Sequence, residues 1–278
     1  MNDMKRRVID LDPAGFNELQ ICRSGPMVYN KYDMYVGESL RKYGEFSIAE
    51  QEVFEQVVRP GALVVEVGAN IGAHTVDLSR LVGRDGEVHA IEPQRIVFQT
   101  LCANLAINQC VNVFARQAAV GARNGTIMVP ALDPSIRNNF GGLSLHNVNG
   151  GESVPLITLD SLDLPACQLL KVDVEGMEVD VVTGGEQLIQ MYRPLMYLEN
   201  DREDRSEALL TLVERLEYNA YWHFAQLFNP ANFAGDTDNV FSIIASINIL
   251  CVPKETKIGV AGMRPVRSSN ETWRTAFT

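Results

Sequence analysis

The chain has 278 residues, 46% of them hydrophobic, enough to bury a sizeable core, which excludes general disorder. A formal net charge of −11 argues against nonspecific nucleic-acid binding, since phosphate contacts would have to come from a local basic patch. The five scattered cysteines include no CxxC pair, no apolar run approaches the roughly 20 residues of a membrane-crossing helix, and the start MNDMKRRVIDLDPAG lacks the apolar centre of a secretory signal, so a cytoplasmic protein is expected.

Residues 1–60 stand apart from the alternation that follows. A hairpin is expected through MVYNKYDMYVG and a helix through IAEQEVFEQVV, with residues 1–45 forming an appendage that covers a ligand or pairs with another subunit in a homodimer. From residue 61 onward, apolar runs alternate with amphipathic ones, the pattern of a mostly parallel sheet covered by helices. Strands are expected at 62–67, 87–91, 111–116, 168–173 and 194–198. Thr75, Val76, Leu78, Ser79 and Val82 suit a helix between the first two; Val97, Leu101 and Leu105, spaced by four, suit the next. Near 204–217, Leu209, Leu212, Val213 and Leu216 share a helical face, with Asp204 or Ser206 as cap.

Two regions depart from simple alternation. Residues 124–158 carry short β-like runs, GTIMVP and SVPLITL, around a polar segment with glycines, which reads as a hairpin with a long loop. The run FSIIASINILCVP, residues 241–253, follows a turn-rich stretch and predicts an antiparallel final strand, after which residues 256–278 read as a solvated tail.

The stretch LVVEVGANIGAH joins a buried strand to a helix through a turn with Gly68 and Gly72. Such a turn places backbone N–H groups and a helix amino terminus at the carboxyl edge of the sheet, where ligands of open α/β sheets bind. Glu92 ends the next strand, and an acid there can accept hydrogen bonds from both hydroxyls of a ribose. Taken alone, the glycines make a tight turn and Glu92 is a surface acid; in this order they predict a nucleoside site. The spacing is GxxxG rather than GxGxxG, which favours a nucleoside with an amino-acid tail, the shape of S-adenosylmethionine, over a dinucleotide.

With VVEVGANIGAHT, AIEPQRIVFQTLCANLAIN, AAVG, TLDSL with LLKVDVEGME, and the segment FNPANFAGDTDNVFSIIASINILCVPKE, the chain resembles the FkbM family of methyltransferases over about residues 40–255. The resemblance implies a doubly wound, mostly parallel, seven-stranded Rossmann-like methyltransferase sheet over residues 46–255, the use of S-adenosylmethionine, and transfer to a hydroxyl oxygen, in many relatives that of a sugar or a natural product. By the same resemblance Glu66, Gly68, Ala69, Asn70 and Gly72 hold the methionine part, Glu92 the ribose, Ala119 lies by the adenine, Glu45 reaches the methionine part from the preceding segment, and Asp173 sits beside the sulfonium.

An alcohol is a weak nucleophile while protonated, so a general base or a divalent cation is expected at the acceptor. Asp173 and Glu175 in KVDVEG are candidate bases; Asp173, Glu199 and Asn200 offer oxygen ligands for Mg²⁺ or Mn²⁺, and the same acids also serve without metal. Of the histidines, His89 reads as structural, His74 as a ligand contact or a cap, and His146 and His223 as placed to meet an acceptor, though each also suits a purely structural role. Tyr218, Tyr221, Trp222, Phe224 and Phe228 read as core, whereas Asn229, Asn232, Asp236, Asp238 and Asn239 read as a polar loop beside the acceptor. The expected partner is a small-molecule or glycan acceptor; the competing readings are a peptide carboxylate or polyketide acceptor, an NAD-dependent oxidoreductase, and a binding module without transfer chemistry.

Overall fold

A computed structural model describes residues 8–143 and 150–277. The chain opens with a small antiparallel sheet of β1 (Ile9–Asp10), β2 (Asn17–Cys22) and β3 (Gly25–Asn30), followed by helices α1 (Val36–Tyr43) and α2 (Ile48–Val57). The hairpin expected through residues 27–37 lies earlier in the chain. Cys22 pairs with Gly25, so Arg23 and Ser24 make the turn, Met27 to Asn30 belong to its second strand, and Val36 and Gly37 already lie in α1. The apolar Met27 and Tyr29 are fully buried, polar Asn30 ends the strand, and Asp33 accepts the N–H groups of Tyr35 and Gly37 at the start of α1 rather than forming a hairpin turn.

The main sheet then forms in the expected alternation. β4 (Leu63–Val67), α3 (Thr75–Val82), β5 (Glu87–Ile91), α4 (Arg95–Ile107) and β6 (Val113–Arg116) come first. A side sheet of β7 (Ala119–Val120), β8 (Gly125–Val129) and β9 (Glu152–Ile157) follows, its antiparallel β8–β9 pair being the expected hairpin. The chain returns through β10 (Leu169–Val172), α5 (Glu178–Thr183), α6 (Glu186–Tyr192), β11 (Leu195–Glu199), α7 (Glu203–Arg215), β12 (Tyr218–Gln226) and β13 (Ala245–Pro253). Two short elements end it, β14 (Arg264–Pro265) and α8 (Trp273–Ala276).

Strand order in this sheet is β14-β12-β13-β11-β10-β4-β5-β6. The five strands from β6 to β11 are mutually parallel, and β13 runs antiparallel to both β11 and β12. This is the expected doubly wound α/β sheet with an antiparallel C-terminal strand, extended by the two-residue edge strand β14. The order turns around between β4 and β10, the position where open sheets hold ligands at their carboxyl edge.

Both faces of the centre are buried, which is why β4 and β10 are apolar at nearly every position. Val64, Val88 and Leu169 pack against Phe54 of α2 and Leu78 of α3 on one face. Val65, Leu170, Met196 and Leu198 pack against Val181, Ile189, Leu209 and Val213 on the other. Each such side chain contributes about 1.5–3 kcal/mol on burial.

The N-terminal hairpin shares a core with the main sheet: Met27, Tyr29 and Leu40 pack with Ile71, Val76 and Leu101. Its polar fastening is Asn104 of α4, fully buried, which donates from Nδ2 to the carbonyls of Val28 (2.9 Å) and Ile71 (2.8 Å) and accepts the Val28 N–H at 2.7 Å. The carboxyl segment is mostly exposed over residues 254–270, but its end is docked rather than a solvated tail. Glu271 is buried and accepts from Trp222 Nε1 at 3.2 Å and from the Arg267 N–H at 2.9 Å, while Ala276 is fully covered. Helix α7 begins one residue earlier than expected, with Arg202 at the cap position and no side-chain cap from Asp204 or Ser206; the Ser206 hydroxyl donates to Glu271 O.

Candidate active site at the carboxyl edge of the sheet

Beyond Val67 the backbone turns through Gly68 at φ 83°, Asn70 at φ 51° and Gly72 at φ 86°. All three lie in the left-handed region, which glycine adopts freely and asparagine more readily than other residues. What crowds this turn is first the protein itself. A Cβ on Gly68 would stand 1.8 Å from the carbonyl oxygen of Asp173, and one on Gly72 would stand 2.7 Å from Leu101 Cδ1. Gly68 therefore lets the ends of β4 and β10 touch and also bares backbone to the cleft between them.

That cleft is open to solvent and holds about 650 Å³ with the solvent at its mouth included. Its polar rim is made by Gly68, Asn70, Glu92, Asp173 and Glu175; its apolar wall by Ile91, Ala118, Ala119, Val129 and Phe140. Glu92 is buried and accepts the Asn70 N–H through Oε2 at 3.0 Å and the Gln94 N–H through Oε1 at 2.9 Å. Each oxygen keeps a further lone pair for a ligand hydroxyl. Burial pushes this carboxyl up to about 7, against the pull of the two backbone N–H groups.

Behind the rim runs a row of buried ionic groups set by strand register. Lys171 of β10 pairs with Glu66 of β4 on one side and Tyr197 of β11 on the other. Its Nζ lies 3.6 Å from Glu66 Oε1 and 3.5 Å from Asp173 Oδ2, and Glu66 Oε2 accepts the Thr75 hydroxyl at 2.6 Å. Burial pulls the ammonium down, but Asp173, Glu66, Glu50 and Glu199 outweigh it and hold the group above the ordinary lysine range.

The third part of the site is acidic. The turn after β10 places Glu175 at φ 56° and Gly176 at φ 101°, and Glu178 Oε1 accepts the N–H groups of Gly176 (3.0 Å) and Val174 (3.3 Å). A non-glycine residue held at positive φ stores strain of order 1 kcal/mol or more, of the kind that collects at functional sites. Glu175 accepts from Arg202 Nη2 at 2.6 Å. Burial and then the charge of Asp173 push its carboxyl up to about 7 although Arg202 opposes them. Oxygens of Glu175, Glu199 and Asp201 lie within 4.8 Å of one another, a spacing that suits a divalent cation. Burial, then the charges of Asp173, Glu175 and Asp201, push Glu199 well above the carboxylate range.

Of the expected site residues, Gly68, Asn70, Glu92, Ala119, Asp173 and Glu175 meet at this cleft. Glu66, Ala69 and Gly72 are set behind it: Glu66 is held by Thr75 and Lys171, Ala69 packs with Ile71 and Val76, and Gly72 faces Leu101. Glu45 is placed elsewhere, because its carboxylate accepts from Arg23 Nε (2.8 Å), Asn229 Nδ2 (2.8 Å) and the Phe233 N–H (2.7 Å). His74 packs between Phe46 and Phe54 with Nε2 3.1 Å from Glu50 Oε2, away from the cleft.

His223 is committed to Tyr197, its Nδ1 2.7 Å from the phenol oxygen, and burial pulls its imidazole below the ordinary histidine range. His146 lies outside the described residues. His89 stacks on Phe114 at a ring separation of 5.1 Å within the sheet, as a structural residue does. In the acidic group Asp201 stands where Asp173 and Asn200 were expected; Asn200 is buried with its backbone N–H on the Ile247 carbonyl. The polar loop after β12 is docked on α1 through Lys42 with Asp236 and Asp238, and through the Tyr43 hydroxyl, which donates to Asp238 O. Lys171, Glu178, Asp201 and Phe140 were not legible as site residues; Lys171 alone carried a signal, a charge inside the apolar run LLKV.

Residues 66–221 match the family described as the methyltransferase FkbM domain. Among solved structures, the chain is similar to the methyltransferase FkbM from Methylobacillus flagellatus KT, with 19% identity and a TM-score of 0.45 over 72% of this chain and 50% of that one. It is also similar to precorrin-6y C5,15-methyltransferase from Geobacter metallireducens GS-15, with 11% identity and a TM-score of 0.45 over 73% of this chain and 86% of that one. A SAM-dependent methyltransferase from Aquifex aeolicus gives 13% identity and a TM-score of 0.41 over 73% and 88%. The chain spans half the length of the first of these. Comparison with curated proteins finds no match.

Proposed function

The chain belongs to the FkbM methyltransferase family, and from that premise we propose that it moves the methyl group of S-adenosylmethionine to a hydroxyl oxygen of a sugar, in a glycan, a glycolipid or a glycosylated metabolite. The observation that carries this reading is the meeting, in one cleft, of Gly68 and Asn70 from the end of β4, Glu92 from β5, Ala119 from β7 and Asp173 from β10. The residues fit the cofactor: Glu92 has lone pairs free for two ribose hydroxyls, Gly68 bares backbone, and Ile91, Ala118 and Phe140 offer apolar contact to a purine.

S-adenosylmethionine supplies a methyl group on a good leaving group, so the residues need only align the acceptor, exclude water and take a proton. Besides Glu92, the carboxylates that line the cleft are Asp173, its side chain 43% exposed, and Glu175, at 19%. Glu175, held at about 7, is suited to accept the hydroxyl proton at Oε near neutral pH. The sugar is supported by the family's habit of hydroxyl acceptors and by the polar, acid-rich rim, which suits hydroxyl donors.

Titration calorimetry with S-adenosylmethionine and with NAD tests the cofactor. Binding of NAD alone would overturn the reading. Transfer of labelled methyl from the cofactor to a panel of free sugars, glycosides and non-sugar alcohols then tests the acceptor; labelling confined to the non-sugar alcohols would remove the sugar. The spacing of Glu175, Glu199 and Asp201 favours a second arrangement, in which Mg²⁺ or Mn²⁺ rather than a free carboxylate lowers the acceptor's pKa. Full turnover in excess chelator would exclude it.

A further inference from the structure

The buried lysine is the feature that the cofactor cleft does not by itself require. Lys171 is 2% exposed at its side chain, and one carboxylate, Glu66 at 1%, would be enough to balance it. A buried ion pair of that kind is commonly replaceable by apolar residues without loss of stability. Instead, the ammonium also reaches beyond the strand to Asp173, whose side chain is 43% exposed and lines the cleft. One hydrogen bond and two ion pairs thus run from the first residue of α3 to the cleft wall: Thr75 to Glu66, Glu66 to Lys171, and Lys171 to Asp173. Each link is fixed by the sheet, since Glu66 and Lys171 are register partners and Asp173 follows Val172, the last residue of β10.

We propose that Lys171 is a positioning residue that aims the Asp173 carboxylate into the cleft, toward the positively charged, methyl-bearing end of the cofactor. The inference rests on the methyltransferase reading. A carboxylate left half-exposed with no anchor would sample several rotamers and be screened by water. Anchored at one oxygen by a rigid buried cation, it presents the other in a fixed direction. The Asp173 carboxylate favours a sulfonium over the uncharged thioether left after transfer, and Lys171 contributes only by fixing its direction, since the ammonium's own charge opposes the sulfonium.

The test compares S-adenosylmethionine with S-adenosylhomocysteine, which differ at this end by the methyl and its charge. Both are titrated calorimetrically into wild type, Lys171→Met, Asp173→Asn and the double variant of these two. Lys171→Met loses the anchor together with the ammonium's own repulsion of a nearby sulfonium, so a positioning role requires that the sulfonium ligand weaken about threefold or more while the thioether moves less, and a sulfonium affinity that rises would overturn the inference. Asp173→Asn should reproduce the pattern, and the double variant should be no worse than Asp173→Asn alone, the non-additivity expected of two residues acting through one contact. Should Lys171→Met fail to fold because Glu66 is left unpaired, Lys171→Met with Glu66→Gln removes the charge pair together, and its melting curve shows whether the fold is kept. Equal weakening of both ligands, or additive losses, would overturn the inference while leaving the enzyme a methyltransferase. Wild type that bound neither ligand would instead remove the functional reading, and this one with it.

Discussion

The Oε2 of Glu92 accepts the backbone N–H of Asn70 at 3.0 Å, so the acid that follows β5 also fastens the turn that follows β4. Glu92→Gln keeps the shape but turns an amide N–H₂ toward one of two backbone donors, Asn70 or Gln94. With the proposed charge-assisted contacts to the ribose lost as well, affinity for S-adenosylmethionine should fall about tenfold to a hundredfold, since a hydrogen bond to a charged group contributes roughly 1.5–3 kcal/mol. Calorimetry checks it; unchanged affinity would take Glu92 out of the cofactor site.

The same carboxyl predicts a pH dependence. Burial holds Glu92 at about 7, above its ordinary range, so without ligand the folded protein binds a proton that the unfolded chain has already released. This contribution to stability is complete below the ordinary carboxylate range and fades as pH rises through about 7. On the proposed reading ribose hydroxyls donate to the ionised form, so cofactor binding should release a proton and tighten between about pH 6 and 8. Titrations in buffers of different ionisation enthalpy measure that proton, and Glu92→Gln should abolish its release.

Gly68→Ala should be far more damaging than a glycine replacement elsewhere. Its Cβ would lie 1.8 Å from the Asp173 carbonyl oxygen at φ 83°, so the ends of β4 and β10 must part. Gly235, at φ 69° with open space around it, supplies the control, in which only the conformational term of roughly 1–2 kcal/mol remains. Chemical denaturation should separate the two, with Gly68→Ala also losing cofactor affinity because Asp173 is displaced.

The hairpin and the parallel sheet meet at Asn104, which makes three hydrogen bonds from a fully buried position. Asn104→Ala leaves the Val28 N–H and the Val28 and Ile71 carbonyls with lost partners; stranding such groups costs about 1–3 kcal/mol each at most, and a total near 3 kcal/mol is expected. A melting-temperature drop of roughly 6–12 °C checks this.

Asn104 also illustrates what the sequence shows and what it hides. Strands 63–67, 87–91 and 169–172 stand out because both faces of each are buried, leaving apolar runs cut off by glycine and acid. The glycine turn and Glu92 follow from those strand ends. Asn104 gives no local signal, because its partners, Val28 and Ile71, are 76 and 33 residues away. Lys171 shows as a charge in an apolar run, but its pairing with Glu66 comes from strand register, which no local pattern encodes. Glu45, by contrast, was misplaced because the loop that takes up its carboxylate, at Asn229 and Phe233, is docked on it by the fold.

The proton of the acceptor hydroxyl must go to a group that is ionised before transfer and near its own pKa, and Glu175 at about 7 meets that condition inside the cleft. Glu175→Gln preserves size and the strained φ of 56°, and gives up only a part-exposed pair with Arg202, so the fold should lose less than about 1 kcal/mol. Turnover with a responding hydroxyl acceptor should fall about 10²–10⁴-fold while cofactor affinity changes little, the signature of a lost general base. If turnover survives in Glu175→Gln but is lost in Asp173→Ala with cofactor still bound, the proton goes to Asp173. The two carboxylates flank one cleft, and only the pair of variants tells which one accepts it.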